Sequence, residues 1–417
     1  MTSPHCPGTG SVATLESAGG ARMYEQVDRL RKAGPAVRVR LPEDVVAWSV
    51  TRGDVVKRLL THPGVSRDPR KSVPGYRPGA VNWLFPWVDV ESMFTSEGQD
   101  HTRLRKLIAP AFAPRRIEAM RPLVEAIVGG LLDALEKRPA DEPVDLRAEF
   151  VYPVPTRVIC DLFGVPDGQR PEMLRVAQAV ADTGASVEEA AVMTRDLIAG
   201  ARRLIGFKRR NPGDDMTSLL LTTRAEDADR LSEEELLSTL LLMIGAGSQT
   251  AIALIGNAVR ELLLHRDRLD AALAGAEPWS GAVEETLRLH PPVMHMPLRW
   301  ATQDIDLGEG VVIRAGETMI IAFGAHGRDP GVHGDPEVFD PRRADKEHLA
   351  FGHGVHYCLG AALGRLEAEV ALPALFGRFP RLALAGGADG IEPQRSFIGN
   401  DVTALPVVLG EAARTAG

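Results

Sequence analysis

One cysteine sits where chemistry is easiest to arrange. Cys358 lies in Phe351-Gly352-His353-Gly354-Val355-His356-Tyr357-Cys358-Leu359-Gly360, a glycine-rich turn that runs into the first turn of a long helix. Helix N-termini present free N–H groups and a positive partial charge, and both favour a thiolate over a thiol. Gly354 and Gly360 leave room for something flat to approach the backbone. A cysteine held this way serves as a nucleophile, as a metal ligand or as plain buried packing. A hydrolytic nucleophile would need a base and a group to orient it. His356 is two residues away, and the sequence shows no orienting group for it.

Three other groupings carry chemical types at helical spacing. In Glu285-Thr286-Leu287-Arg288 the acid and the guanidinium fall at i and i+3, on one helix face. His101 and Arg105 fall at i and i+4, a basic face that is either solvated or turned toward an anion. Ile244-Gly245-Ala246-Gly247-Ser248-Gln249-Thr250 lies inside a long apolar helix read over Leu236–Glu261. Each interior glycine costs about 1 kcal/mol relative to alanine. The pair therefore buys close helix packing, the approach of a flat group or a local opening of the helix. Cys6 and Cys160 read as structural or incidental.

In this order along the chain, the segments resemble the cytochrome P450 monooxygenases. Phe351, Gly354, Cys358 and Gly360 match the family's haem-binding signature, Glu285 and Arg288 its E-x-x-R, and Arg343 the third member of its structural Glu–Arg–Arg cluster. The resemblance implies a mainly α fold with small β-sheets in one large domain. It implies haem b, iron protoporphyrin IX, with Cys358 as axial thiolate, and a pocket to which Phe351, Gly352 and Gly360 contribute. His101, Arg105, Arg299 and His356 would bind the haem propionates. Ala246, Gly247 and Thr250 match the family's oxygen-activation motif, but Gln249 stands where the family has an acid. An amide cannot titrate. Proton delivery to dioxygen would then rest on water, Thr250 or the substrate, and Gln249 is the one feature that speaks for a haem protein without turnover.

The thiolate ligand favours O–O cleavage, and the protein decides pose and partner. Electrons would come from a ferredoxin and its reductase, since no flavin domain or iron–sulfur ligand set is visible. The Ala-Gly-Ser-Gln-Thr stretch is similar to the branch that dimerises tryptophan-containing diketopiperazines, so intermolecular C–C coupling through an indole radical is the specific expectation. The alternative is hydroxylation or epoxidation of a macrolide, terpenoid or other natural product. Substrate contacts are expected from Trp83, Phe85 and Trp87, from Val293, Met294 and Met296, and from Phe397. An aromatic-lined apolar pocket would suit a flat ligand.

The elements that must hold these residues follow from periodicity. Residues 36–51 alternate around Pro42-Glu43-Asp44, a hairpin, and a helix follows at Gly53–Leu60. Residues 62–92 read as a long, partly structured loop. Helical periodicity dominates 100–290 with breaks near Pro139–Pro143, Val165–Arg170 and Asn211–Asp215. Short strands return at Val311–Arg314 and Thr318–Ala322, residues 324–357 are irregular, a helix covers Leu359–Phe379, and Ala404–Leu409 closes as a strand. Residues 1–20 read as a poorly ordered tail and 21–417 as one domain, against a length that alone suggests about two or three.

Composition excludes other classes. The chain has 417 residues, 44% hydrophobic and 25% charged, which is the globular average and not that of a disordered or fibrous chain. Its 48 basic and 56 acidic side chains give a net charge of -8, against nucleic acid as the main partner. The apolar run Leu236–Ile244 is too short to span a membrane and no signal peptide is read, so the expectation is a cytoplasmic protein. Three scattered cysteines exclude a cysteine zinc cluster and fit a reducing compartment. A monomer is expected.

Overall fold

The computed structural model describes residues 12–171, 187–222 and 230–413. The chain enters through β1 (Ala13–Thr14) and α1 (Gly20–Ala33), then β2 (Val37–Arg40) and β3 (Val46–Val50). Two strands form where the alternation indicates, pairing antiparallel with Val37 opposite Ser49. Glu43 and Asp44 turn the corner with φ of 55 and 57. β1 pairs with β2, and Leu15 is buried, so residues 12–20 belong to the fold rather than to a loose tail. Residues 1–11, Cys6 among them, lie outside the described residues.

α2 (Gly53–Leu59) follows, and the proline-rich stretch after it holds β4 (Val65–Ser66) and short helical turns. The helical middle contains α3 (Gly98–Ile108), α4 (Arg121–Leu135), α5 (Pro153–Leu162), α6 (Val187–Arg210), α7 (Glu233–Leu264) and α8 (Trp279–Leu289). One of the expected helix breaks holds a strand, β5 (Pro143–Asp145). It pairs with β11 (Pro406–Val408), itself paired with β10 (Ala383–Leu384).

Between α8 and the last helix come β6 (His295–Ala301), β7 (Ile305–Gly308), β8 (Val311–Ile313) and β9 (Thr318–Ala322). The six-stranded sheet runs β1-β2-β3-β9-β6-β4, and β7 and β8 form a separate ladder. α9 (Ala361–Arg378) begins two residues later than its apolar pattern suggests.

α7 is the axle. Ser232 caps it, accepting from the Glu235 N–H while the Glu235 carboxylate accepts from the Ser232 N–H. Three glutamates in its first turn complement the helix dipole. Its buried Ile252, Ile255, Val259 and Leu262 pack with Val124 and Val128 of α4, Val158 of α5, Val283 and Leu287 of α8, and Leu366 and Phe376 of α9. Phe112 and Leu162 pack against both this core and a second one around Leu204, Leu240 and Ile244, so the two are continuous. By length and composition α7 could cross a membrane, a property the shorter run Leu236–Ile244 conceals, but 61% of its apolar window is buried inside the protein.

Candidate active site

α7, α9 and the irregular segment before α9 enclose a cavity of about 470 Å³. Cys358 lines it, and the residue's accessible surface faces this cavity rather than the outside. The turn is built by Gly352 and Gly354 at φ 74 and 73, a region that favours glycine. A side chain at Gly354 would also meet Thr61 Cγ2 at 2.7 Å. The Cys358 N–H donates to the Phe351 carbonyl at 2.9 Å, closing the loop on itself. Burial pushes the Cys358 thiol above its ordinary value, although the N–H groups of Gly360 and Ala361 and the charges of Arg105 and Arg365 pull the other way.

The loop is braced from behind. Glu285 and Arg288 are both fully buried, with two nitrogen–oxygen contacts of 2.8 Å. The Arg288 guanidinium also donates to the carbonyls of Gly327, Pro336 and Val338. Arg343 joins the same Glu285 oxygen at 3.4 Å and donates to the carbonyls of Gly334 and Asp335. Closer to the cysteine, Arg365 forms a fork with Glu284 at 2.6 and 2.9 Å and lies 4.5 Å over the Phe351 ring. Burial would raise the Glu284 carboxyl, but its bonds to Arg365 and His348 prevail and hold it at about 2.

Arg105, Arg299 and His356 line the cavity. His101 stands behind His356, ring centroids 4.1 Å apart, with its Nε2 buried and unpartnered. Burial, with Arg67, His101, Arg299 and Arg105 around it, holds His356 well below the usual imidazole range. Burial lowers Arg299 to about 9. Sequence reasoning missed Arg67, which lines the same wall. Arg67, Arg105, Arg299 and His356 face this cavity, Arg67 and Arg299 among them buried, against the single lining carboxylate among the described residues, Glu97, an excess of positive charge that fits a ligand bearing carboxylates. A Cβ at Gly360 would lie 3.8 Å from the Cys358 sulfur, an ordinary contact, so the space here does not depend on glycine. The sulfur ligand and the basic donors for carboxylates on one cavity together fit haem.

Ala246, Gly247 and Thr250 form the α7 wall of the cavity. The helix is continuous here and does not open; the Thr250 hydroxyl donates back to the Ala246 carbonyl at 2.8 Å. A Cβ on Gly247 would meet Ile159 Cδ1 at 2.7 Å, so this glycine serves close packing against α5. Gln249 does not line the cavity, and its Nε2 is buried without a partner. The lining arc passes through Met243, Ala246, Gly247, Thr250 and Leu254, and position 249 falls on its flank.

The expected substrate contacts divide. Val293 and Met296 line the cavity. Trp83 packs edge-on against the fully buried Phe397, Trp87 packs against Phe94, and Met294 packs with Met23 and Val27 of α1. These four pack with cores rather than line the pocket, the aromatic ones against other aromatic rings. The Phe85 side chain lies outside the described residues. In their place Met93 and Phe94, from the irregular segment before α3, and Leu242 and Met243, from α7, line the cavity. Cys160 is buried on α5 and inert, its thiol raised by burial to about 11.

The chain is similar to known proteins over most of its length. The family model described as Cytochrome P450 matches residues 280–392. The chain is 43% identical over 402 residues to the 2-hydroxy-5-methyl-1-naphthoate 7-hydroxylase of Streptomyces carzinostaticus, covering 95% of this chain and 98% of that protein. It is 38% identical over 395 residues to the 6-deoxyerythronolide B hydroxylase of Saccharopolyspora erythraea, covering 93% and 96%. Among solved structures, CYP154A1 from Streptomyces coelicolor A3(2) superposes with a TM-score of 0.89 at 46% identity, over 96% of this chain and 100% of that one.

Proposed function

Because this chain belongs to the cytochrome P450 family, whose cofactor is haem with a cysteine thiolate ligand, we propose that it is a monooxygenase that hydroxylates an apolar, ring-containing polyketide-type metabolite. The observation that carries this reading is a single cavity. It holds the Cys358 sulfur and the Ala246–Thr250 wall, and its remaining lining includes Met93, Phe94, Leu242, Met243, Val293 and Met296. Two relatives that the chain covers almost end to end are hydroxylases of an aromatic acid and of a macrolactone. Hydroxylation thereby displaces diketopiperazine coupling, which rested on the short stretch around Gln249, as the favoured outcome.

When bound, the haem supplies the reduction of dioxygen and the oxidation of the substrate C–H bond. Cys358 would hold it through its sulfur, which accepts from the N–H groups of Gly360 and Ala361. Arg105, Arg299 and His356, backed by His101, would hold the propionates. The Thr250 Oγ1 proton is committed to the Ala246 carbonyl, which leaves the oxygen's lone pairs to accept from water or substrate. Gln249 neither lines the cavity nor titrates, so no protein carboxylate substitutes for the family's acid there. Met93, Phe94, Val293 and Met296 exclude water and orient the substrate by shape rather than by charge. Electrons are expected from a ferredoxin and its reductase.

The test has two parts. The reduced, carbon-monoxide-bound protein should show the red-shifted Soret band of thiolate ligation, and Cys358→Ser should lose it. With ferredoxin, reductase and reduced nicotinamide cofactor, a naphthoate and a macrolactone should give products with one added oxygen atom. A tryptophan diketopiperazine should give none. Dimers lacking two hydrogens, with no oxygenated product from any substrate, would overturn hydroxylation and restore coupling.

A further inference from the structure

The bases assigned to the cofactor by family resemblance do not exhaust those facing the cavity. Arg67 is 8% exposed and lines it. Its position follows from sheet register: β4 pairs antiparallel with β6, Val65 opposite Ala301 and Ser66 opposite Trp300. Carried one step further, that register sets Arg67 beside Arg299.

One part of the Arg67 guanidinium is occupied. Its Cζ lies 4.2 Å from the centre of the Phe94 ring, and its Nη1 donates to the Phe94 carbonyl. Its Nε is buried without any partner. No carboxylate among the described residues pairs with it. The nearby Glu97 accepts instead from the Arg67 backbone N–H at 3.1 Å and from Ser66 Oγ at 2.8 Å, with Lys71 Nζ 4.0 Å away. The bases that bear on this wall are Arg67, Arg299, Arg105, His101 and His356, and the acid among the cavity's lining residues, Glu97, is engaged by Ser66 and the Arg67 backbone rather than by a guanidinium. Burial and the neighbouring Arg299 depress the basicity of Arg67. Buried like charges side by side are costly unless an anion joins them.

We propose that Arg67 is a further positioning residue for the cofactor, holding a haem carboxylate with its unpartnered edge while its face and Nη1 fix Phe94 over the substrate space. The proposal rests on the haem-thiolate reading. It makes Arg67 the link between the loop that shapes the pocket and the edge of the cofactor. A merely structural Arg67 would serve Phe94 alone.

The measurements are the rate of haem transfer to an excess of haem-free globin and the ferric–ferrous potential by dye-linked titration. Both use holoenzyme of wild type, Arg67→Gln and Arg67→Lys. Loss of one charge-assisted hydrogen bond should speed haem release by roughly 10- to 100-fold in Arg67→Gln. Its potential should become more negative, because a positive charge near the cofactor has gone. Arg67→Lys should restore the potential and only part of the retention, since an ammonium lacks the planar fork. Wild-type release and wild-type potential in Arg67→Gln would overturn the proposal. If Arg67→Gln does not fold, release at the wild-type rate from Arg67→Lys overturns it instead. A wild-type protein lacking the thiolate band would sink the haem-thiolate reading itself, whereas a normal band with unmoved variants sinks only the role of Arg67.

Discussion

Replacing Glu285 by glutamine tests what holds the cysteine loop in place. The substitution keeps volume and one acceptor oxygen but removes the charge. In the structure Glu285 Oε1 accepts from Arg288 at 2.8 Å, from the Asp340 N–H at 2.9 Å and from Arg343 at 3.4 Å, while Oε2 accepts from Arg288 Nε at 2.8 Å. A glutamine oxygen can keep one of these sets. Its amide nitrogen then points donors at the Arg288 or Arg343 donors. A fully buried guanidinium is left without its counter-charge, at a cost of about 3–5 kcal/mol. Whole-domain stabilities are about 5–15 kcal/mol, so the loss is a large fraction of the total.

The consequence is directional, because Arg288 also ties down the carbonyls of Gly327, Pro336 and Val338, in the segment that leads to Cys358. Urea unfolding of holoenzyme, followed by far-ultraviolet dichroism and by the Soret band, should show a lower midpoint for Glu285→Gln. Its Soret signal should be lost at a lower urea concentration than its helicity. Arg288→Met should be at least as damaging, since three carbonyls lose their donor as well. The double variant should be less destabilised than the sum of the singles, by about 0.5–3 kcal/mol. A loss below about 1 kcal/mol in Glu285→Gln, or strict additivity in the double variant, would refute the brace.

Acid should destabilise the fold from an unusually high pH. Burial holds His295 at about 4, its Nδ1 2.6 Å from the Phe397 carbonyl, and burial together with Arg260 holds His290 at about 4 despite Glu261. A histidine depressed in the fold contributes stability that is full above its unfolded value of about 6.5 and is lost as pH falls toward 4, about 3 kcal/mol for His295. Urea midpoints should fall steadily from pH 7 to 4.5, and a flat profile would refute this; Glu284, held at about 2, adds a second loss only below about 4.5. Gly247→Ala should cost at most about 1 kcal/mol, since the terminal Ile159 Cδ1 that the new Cβ meets at 2.7 Å can turn aside and the helix preference of alanine offsets part of the contact. In an Ile159→Val background, which lacks that atom, the same change should turn neutral or stabilising by up to about 1 kcal/mol in thermal unfolding, and an unchanged penalty there would refute the packing role.

Local signals carried far in this chain. The cysteine segment is legible because its chemistry is contiguous: left-handed Gly352 and Gly354, the sulfur and the helix start lie within ten residues. The α7 and α9 helices, the β2–β3 hairpin and the Glu285–Arg288 pair are likewise set by spacing along one element. Two-residue strands are not legible in this way. β4 has no length over which alternation could show, and only its pairing with β6 gives it a register. Arg67 was therefore invisible, a charged residue in a proline-rich stretch with nothing in its neighbours to say it is buried.

The misplaced substrate contacts have the same origin. Trp83, Trp87 and Phe397 are the residue types that line pockets, and also the types that gain most from burying one another. Sequence weighs type, whereas the outcome depends on which side of the sheet each loop returns to. Phe94 shows how narrow the difference is: it packs against Trp87, yet also lines the cavity, where Arg67 holds its carbonyl and covers its ring. Pocket identity in this protein is thus set at the junctions between elements, at the β4–β6 pairing and along the flank of α7 that excludes Gln249. Substitutions at those junctions should redirect specificity more than substitutions of the aromatic residues that first attract the eye.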